Sequence, residues 1–150
     1  TGNNTYTGRT HVRDGTLVLT GTGEINSIFG SVNVGQSAGE VGTFILSDDA
    51  VVNVVRTRLG SSANSTGTAI VTGGIWSNSL HFAVGDFGSG TLHLSNGTIY
   101  NQIGFIGALT GSTGTANVSG GSWLNAHDFA VGNGGNGTLN LSGDGLVSSR

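Results

Sequence analysis

The residues that could do acid–base or metal chemistry are few in this chain and are dispersed along it. Asp48 and Asp49 form the one adjacent carboxylate pair, and paired carboxylates serve glycoside hydrolysis or hold a cation. They stand where other segments of the chain carry Gly-Gly or Asn-Gly, so a tight turn is the favoured interpretation. The same interpretation covers Asp86 and Asp144, which both adjoin glycines.

Histidine, cysteine and serine give no stronger sign of a reaction centre. The four histidines do not have ligand-like spacing, and the sequence contains no cysteine. Residues 134–139, GGNGTL, are similar to a calcium-binding nonapeptide, but Leu139 stands where the liganding Asp belongs. Without a cysteine nucleophile or a local Ser-His-Asp arrangement, we predict that the chain is not an enzyme and that it holds no cofactor and no metal.

The composition indicates a folded β protein. The 150 residues include 29 Gly and no Pro, and 9% are charged, but 35% are hydrophobic. Disordered chains combine low hydrophobicity with high net charge, so high Gly here is typical of short strands joined by tight turns. The net charge is −3, which is not the electrostatic pattern of a nucleic-acid-binding protein.

The elements that must position these residues are repeats. Residues 67–103 align with residues 114–150 at 18 identities in 37 positions. A Gly-Thr pair recurs every 23 to 27 residues and opens an alternating strand each time, at Gly15, Gly42, Gly67, Gly90, Gly114 and Gly137. A unit this short cannot bury its apolar face alone, but stacked units can, because parallel strands pair about 4.8 Å apart. The sequence therefore predicts an all-β fold, a right-handed single-stranded parallel β-helix (β-solenoid) of about six coils, in one domain over residues 1–150.

Apolar residues at matching positions predict how the coils are filled. Nine positions after the Gly, a further apolar residue recurs, at Val51, Trp76, Ile99, Trp123 and Leu146. This residue is Trp where the preceding strand carries Ala and Val, and Ile or Leu where that strand carries two Leu. Such an exchange of volume keeps an interior filled, so both tryptophans are expected to point inward. In residues 102–107 the alternation slips by one residue, which predicts a bulge.

The beginning of the chain resembles a known repeat. Residues 1–23, TGNNTYTGRTHVRDGTLVLTGTG, are similar to the autotransporter-associated β-strand repeat, Gly-x-Asn-Thr-Tyr-Thr-Gly-x-Thr-x-Val-x-x-Gly-Thr-Leu-x-Leu. The matching residues are Gly2, Asn4, Thr5, Tyr6, Thr7, Gly8, Thr10, Val12, Gly15, Thr16, Leu17 and Leu19. The later repeats also resemble passenger domains of bacterial type V (autotransporter) proteins.

The resemblance implies a localisation and a class of function. It implies export to the bacterial cell surface, with attachment to the outer membrane through a C-terminal β-barrel that this chain does not contain, so that residues 1–150 are a fragment of a longer passenger. We therefore predict a non-enzymatic, surface-displayed adhesin or autoaggregation stalk. Its partner would be a host-cell or matrix molecule, or another passenger. The alternative is a polysaccharide-binding or polysaccharide-degrading β-helix protein, which several acids meeting on one face would favour.

Two groups of residues are candidates for a contact surface. Alternation predicts an outward apolar strip over the first three coils, although N-terminal residues such as Tyr6 are equally expected to cover it. Two arginines near the carboxylate pair add charge that could support self-association or glycan contact, and the alternative is solvated charge without a role. The candidate contact residues are Val18, Ile45, Ile70, Arg56, Arg58, Asp48 and Asp49.

Overall fold

The computed structural model describes residues 3–4 and 6–150, which form strands and no helix. Two residues of the N-terminal repeat motif, Gly2 and Thr5, lie outside the described residues. The strands are β1 (Asn3–Asn4), β2 (Thr10–Val12), β3 (Gly15–Leu19), β4 (Glu24–Val34), β5 (Val41–Leu46), β6 (Val51–Leu59), β7 (Thr66–Asn78), β8 (His81–Val84), β9 (Ser89–Asn101), β10 (Ile103–Ile106), β11 (Thr113–Val118), β12 (Ser122–Asn125), β13 (Phe129–Val131), β14 (Asn136–Leu141) and β15 (Leu146–Ser148).

All of the described strand pairings are parallel, and they form three faces around a common interior. Face 1 consists of residues 15–19, 41–46, 66–71, 89–94, 113–118 and 136–141. Face 2 consists of residues 3–4, 24–27, 51–54, 75–78, 98–101, 122–125 and 146–148. Face 3 consists of residues 10–12, 31–34, 56–59, 81–84, 103–106 and 129–131. The chain passes from face 1 to face 2 to face 3 and then begins the next coil.

The Gly-Thr pairs mark equivalent positions of successive coils, as predicted. Each pair lies in register with the pair of the neighbouring coil, from Gly15 through to Gly137. The predicted β-solenoid of about six coils is therefore confirmed. Glycine is needed in this column because the chain of the preceding edge passes close by: a Cβ placed on Gly114 would lie 2.1 Å from the carbonyl oxygen of Val84.

The interior is filled by inward-pointing residues of all three faces, with aromatic rings at its centre. Trp76 and Trp123 are both fully buried and lie two coils apart, as predicted. The ring of Trp76 lies 4.7 Å from that of Phe44 and 5.3 Å from that of Phe82. The ring of Trp123 lies 5.6 Å from the ring of Phe82, so Phe82 contacts both tryptophans. Contacts of this kind between coils supply the apolar burial that no single coil can make.

Two members of the predicted inward column were assigned to the wrong residue. Val52, not Val51, pairs with Trp76, and Val147, not Leu146, pairs with Trp123. Val52 is fully buried, whereas Leu146 is half-exposed. The edge between faces 1 and 2 is one residue longer in these coils than in the coils that carry tryptophan. One residue more shifts every following side chain to the opposite face of a strand.

The predicted bulge in residues 102–107 is also wrong. Residues 103–106 pair in continuous register with β8 and with β13, and Gly104 takes the inward position between Phe82 and Phe129. A Cβ on Gly104 would meet the ring of Phe129 at 2.7 Å. The alternation looked broken because the inward residue is a glycine, which leaves space for the surrounding rings. The register shifts instead lie between Ser27 and Ser31 and between Val71 and Ile75.

Candidate functional site

The predicted apolar strip exists and lies on face 1. Val18, Ile45 and Ile70 are successive members of one outward column. Val18 remains 53% exposed, and Ile45 and Ile70 are half-buried. The hydroxyl group of Tyr6 makes a hydrogen bond with Thr10 of face 3, so Tyr6 does not cover the strip.

Asp48 and Asp49 form a turn at the edge between faces 1 and 2, as the favoured interpretation predicted. Asp48 has a φ of 57°, a conformation that Asp tolerates. Its carboxylate accepts hydrogen bonds from the hydroxyl group of Thr20 and, at 3.0 Å, from the backbone N–H of Gly21. These two bonds lower the pKa of Asp48, and the bond from Thr20 has the larger effect. Asp48 thus joins two coils through its side chain.

Arg56 and Arg58 project from face 3 and are not near the carboxylate pair. The partner of Arg58 is Asp86, at 3.1 Å between Nε and Oδ2. Burial raises the pKa of Asp86, against the opposing effect of Arg58 and then Arg56. His81 lies beside the same arginines, and burial, followed by the charges of Arg58 and Arg56, lowers its pKa to about 4. The charges of Arg58 and Arg56 therefore act to lower the pKa of both neighbouring groups, Asp86 and His81.

The seven candidate contact residues consequently do not form one surface. The structure brings three of them together on face 1, places two at the edge that follows, and places the two arginines on face 3. The acids are likewise dispersed, and the described residues contain no cluster of three or more His, Asp or Glu side chains that could hold a metal ion.

A feature that the sequence did not reveal runs along the edge between faces 2 and 3. Two neighbouring cavities, of about 580 and 360 Å³, share Asn78 and Ser79 and together form what we call the edge cleft. Its wall on face 2 is an outward column at a spacing of about 4.8 Å per coil, consisting of Asn26, Asn53, Ser77, Tyr100, Leu124 and Ser148. Tyr100 is 45% exposed. Among the described residues that line the edge cleft there is no Asp or Glu.

Buried asparagines hold the inner side of the edge cleft in place. Asn101 accepts a hydrogen bond of 2.7 Å from the indole N–H of Trp123 and donates one to the side-chain oxygen of Asn125. Asn125 in turn donates to the carbonyl oxygen of Ser148 at 2.9 Å. In the coil that precedes the coil of Asn101, the indole N–H of Trp76 donates to the hydroxyl group of Thr57. Thr57 donates to the side-chain oxygen of Asn78 at 2.7 Å, so Trp76 is linked to the cleft through Thr57 and Trp123 through Asn101.

A third, smaller cavity of about 90 Å³ adjoins the edge cleft near the first coils. It is lined by Arg9, Phe29, Gly30, Ser31, Val55, Arg56 and Arg58, and we call it the arginine pocket. The residues that separate it from the edge cleft are adjacent in the chain, because Ile28 and Val54 line the cleft while Phe29 and Val55 line the pocket.

Sequence reasoning missed the asparagines, Tyr100 and Arg9. A signal for the asparagines was present, since Asn78, Asn101 and Asn125 each stand two residues after the inward Trp or Ile of face 2. That spacing predicts a second inward position. No local signal identified Arg9, because its neighbours in the pocket come from another part of the chain.

The described part of the chain has no helix that is long and apolar enough to cross a membrane. A scan against protein-family models and searches of curated proteins and of solved structures found no match. The resemblance to autotransporter passengers therefore remains a prediction from the residues of the N-terminal motif and from the repeats.

Proposed function

We propose that this chain is a non-enzymatic segment of an autotransporter passenger, displayed on the bacterial cell surface, and that it acts as an adhesin or autoaggregation stalk. Its partner is a host-cell or matrix molecule, or a second passenger. The N-terminal motif supports the class, and the β-solenoid fold is compatible with it.

The observation that carries the proposal is the stacking of six coils, strand on parallel strand. Neighbouring coils are joined by parallel strand pairings on all three faces, or on faces 1 and 2 for the last described coil, and by the aromatic and aliphatic core. Solenoids of this kind are stiff and present side chains in long columns at constant spacing. A stiff rod with columns of identical spacing suits both projection from a surface and multivalent contact, in which several weak contacts act together.

A second candidate function, polysaccharide binding without cleavage, is favoured by the edge cleft. Asparagine, glutamine and serine side chains can both donate and accept hydrogen bonds, as sugar hydroxyl groups require, and the half-exposed ring of Tyr100 can pack against a sugar. Glycoside hydrolysis needs two carboxyl groups on either side of the scissile bond. The described lining of the edge cleft supplies none.

The proposal is tested by removing two coils without changing the rest of the stack. Residues 67–103 and 114–150 are equivalent, so deletion of residues 67–113 joins two equivalent positions. Cells that display the full passenger should adhere and clump, and cells that display the shortened passenger at equal density should do so less. A matched passenger in which two coils of an unrelated neutral solenoid replace residues 67–113 separates contact from length.

If the passenger with the replaced coils adheres and clumps as well as the original, residues 67–113 contribute length at most, and the adhesin proposal is wrong. Release of reducing ends from any polysaccharide incubated with the purified chain would contradict the non-enzymatic part of the proposal.

A further inference from the structure

The arginine pocket gathers positive charge to an unusual degree. The chain has five Arg and no Lys among its 150 residues, and three of those five line one cavity of about 90 Å³. The protein as a whole carries a net charge of −3, so this concentration opposes the overall charge.

The pocket exists because three separate segments meet at the edge between faces 2 and 3. Arg9 directly precedes β2, while Arg56 and Arg58 occupy alternate, outward positions of β6. Residues 28–30 of β4 stand opposite the single residue Val55 of β6, and this register shift raises a wall beside the arginines. The irregularity is thus what turns an open strand surface into a concave site.

The charge in the pocket is only partly neutralised within the protein. The ion pairs of the described residues are Arg13 with Glu40 and Arg58 with Asp86, and neither involves Arg9 or Arg56. The Nε atom of Arg58 is buried and has no hydrogen-bond partner in the described part of the chain, although it lies 3.1 Å from Asp86. Arg58 is thus paired with Asp86, and the charges of Arg9 and Arg56 are the ones that no acidic side chain of the described residues neutralises.

Size and chemistry select the ligand group. The pocket, at about 90 Å³, is much smaller than the two cavities of the edge cleft, at about 580 and 360 Å³, so it suits one small charged group better than a whole sugar or base. Guanidinium groups bind carboxylate, sulfate and phosphate oxygens through paired, charge-assisted hydrogen bonds.

We propose that the arginine pocket binds a single sulfate or carboxylate group of an acidic polysaccharide whose chain lies in the adjoining edge cleft. The inference rests on the second candidate function, polysaccharide binding, and names the substrate class of that site. The adjacency of the two cavities carries it, because Ile28 and Val54 line the edge cleft while their chain neighbours Phe29 and Val55 line the pocket. The neutral column of face 2 holds the sugar backbone, and the arginines select the charged substituent.

The test measures binding of short oligosaccharides to the purified chain by calorimetry and by NMR at physiological ionic strength. The probes are heparin oligosaccharides, which carry sulfate and carboxylate, hyaluronan oligosaccharides, which carry carboxylate alone, and neutral dextran. Arg9→Ala and Arg56→Ala should each weaken binding of the acidic probe about tenfold or more, because one charged hydrogen-bonding partner is lost. Arg13→Ala is the matched control, since it removes the same charge outside the pocket.

Arg58→Lys keeps the charge beside Asp86 but removes the planar fork, and it should weaken binding without loss of the fold. Binding of heparin alone assigns the pocket to sulfate, and binding of hyaluronan as well assigns it to carboxylate. Both outcomes support the inference, provided that Arg13→Ala binds as the original chain does.

The inference is overturned if Arg13→Ala weakens binding as much as Arg9→Ala, since binding would then follow net charge. Equal binding of dextran and heparin, unchanged in all the arginine variants, would also overturn it while leaving polysaccharide binding by the edge cleft intact. Failure of all probes to bind would refute both the pocket and the second candidate function, and the adhesion experiment with the shortened passenger would still decide the first.

Discussion

Replacement of Trp76 by Ala tests the central feature of the fold, the packing of one coil on the next. The side chain is fully buried, its ring contacts those of Phe44 and Phe82, and its N–H donates a hydrogen bond of 2.9 Å to Thr57. Removal of a buried Trp side chain costs about 3–5 kcal/mol. The upper part of that range is expected, because two aromatic contacts and one hydrogen bond are lost together.

The loss is a large fraction of the stability of a typical domain, which is about 5–15 kcal/mol. For a chain of this size it corresponds to a decrease in Tm of about 6–20 °C. Urea and thermal unfolding of the original chain and of Trp76→Ala, followed by circular dichroism, give both quantities. Tyr100→Ala is the matched control, because this aromatic residue points outward and is half-exposed, and it should cost about 1 kcal/mol or less. A loss below about 1 kcal/mol for Trp76→Ala would refute the inward packing.

Three further predictions concern other columns. Gly114→Ala should cost about 2 kcal/mol or more in urea unfolding, because the new Cβ would lie 2.1 Å from a backbone oxygen. Gly8→Ala is the control and should be close to neutral, because no atom lies within 4 Å of its new Cβ. Equal effects of the two substitutions would contradict the close approach at Gly114. Asn101→Ala should cost about 2–4 kcal/mol, because an indole N–H and an amide oxygen lose their partner, whereas Asn140→Ala on the exposed face should cost about 1 kcal/mol or less. The contribution of His81 to stability should decrease as the pH falls from 6.5 to about 4, because the unfolded chain takes up the proton there and the folded chain does not. The free energy of unfolding of His81→Gln should decrease less across that range than that of the original chain. An NMR titration midpoint near 6.5 for His81 in the folded chain would contradict this prediction.

The prediction of the fold succeeded because the information was periodic. The Gly-Thr pairs and the alternating strands that follow them repeat at intervals of 23 to 27 residues, and the structure places them in one register. Inward packing of Trp76 and Trp123 followed from the exchange of large and small residues within each coil. Both conclusions depend on local pattern, which a single sequence carries.

The errors arose where the length of an edge, not the pattern of a strand, decides the outcome. Val51 and Leu146 were assigned inward, but one additional edge residue gives those positions to Val52 and Val147. Gly104 was read as a slip in alternation, although it is an inward residue without a side chain. A strand pattern alone does not fix which of two neighbouring residues follows the corner.

At the arginine pocket too, the sequence determined some features and the tertiary structure decided others. The sequence by itself determined the periodic strands, the coil repeat and the small number of cations. Only the tertiary structure decided that Arg9, Arg56 and Arg58 line one cavity and that Arg58 faces Asp86 and not the Asp48–Asp49 turn. The reason is physical: residues of different coils meet only through the stacking register. That register depends on edge lengths and on irregularities such as the one between Ser27 and Ser31, which no local periodicity encodes.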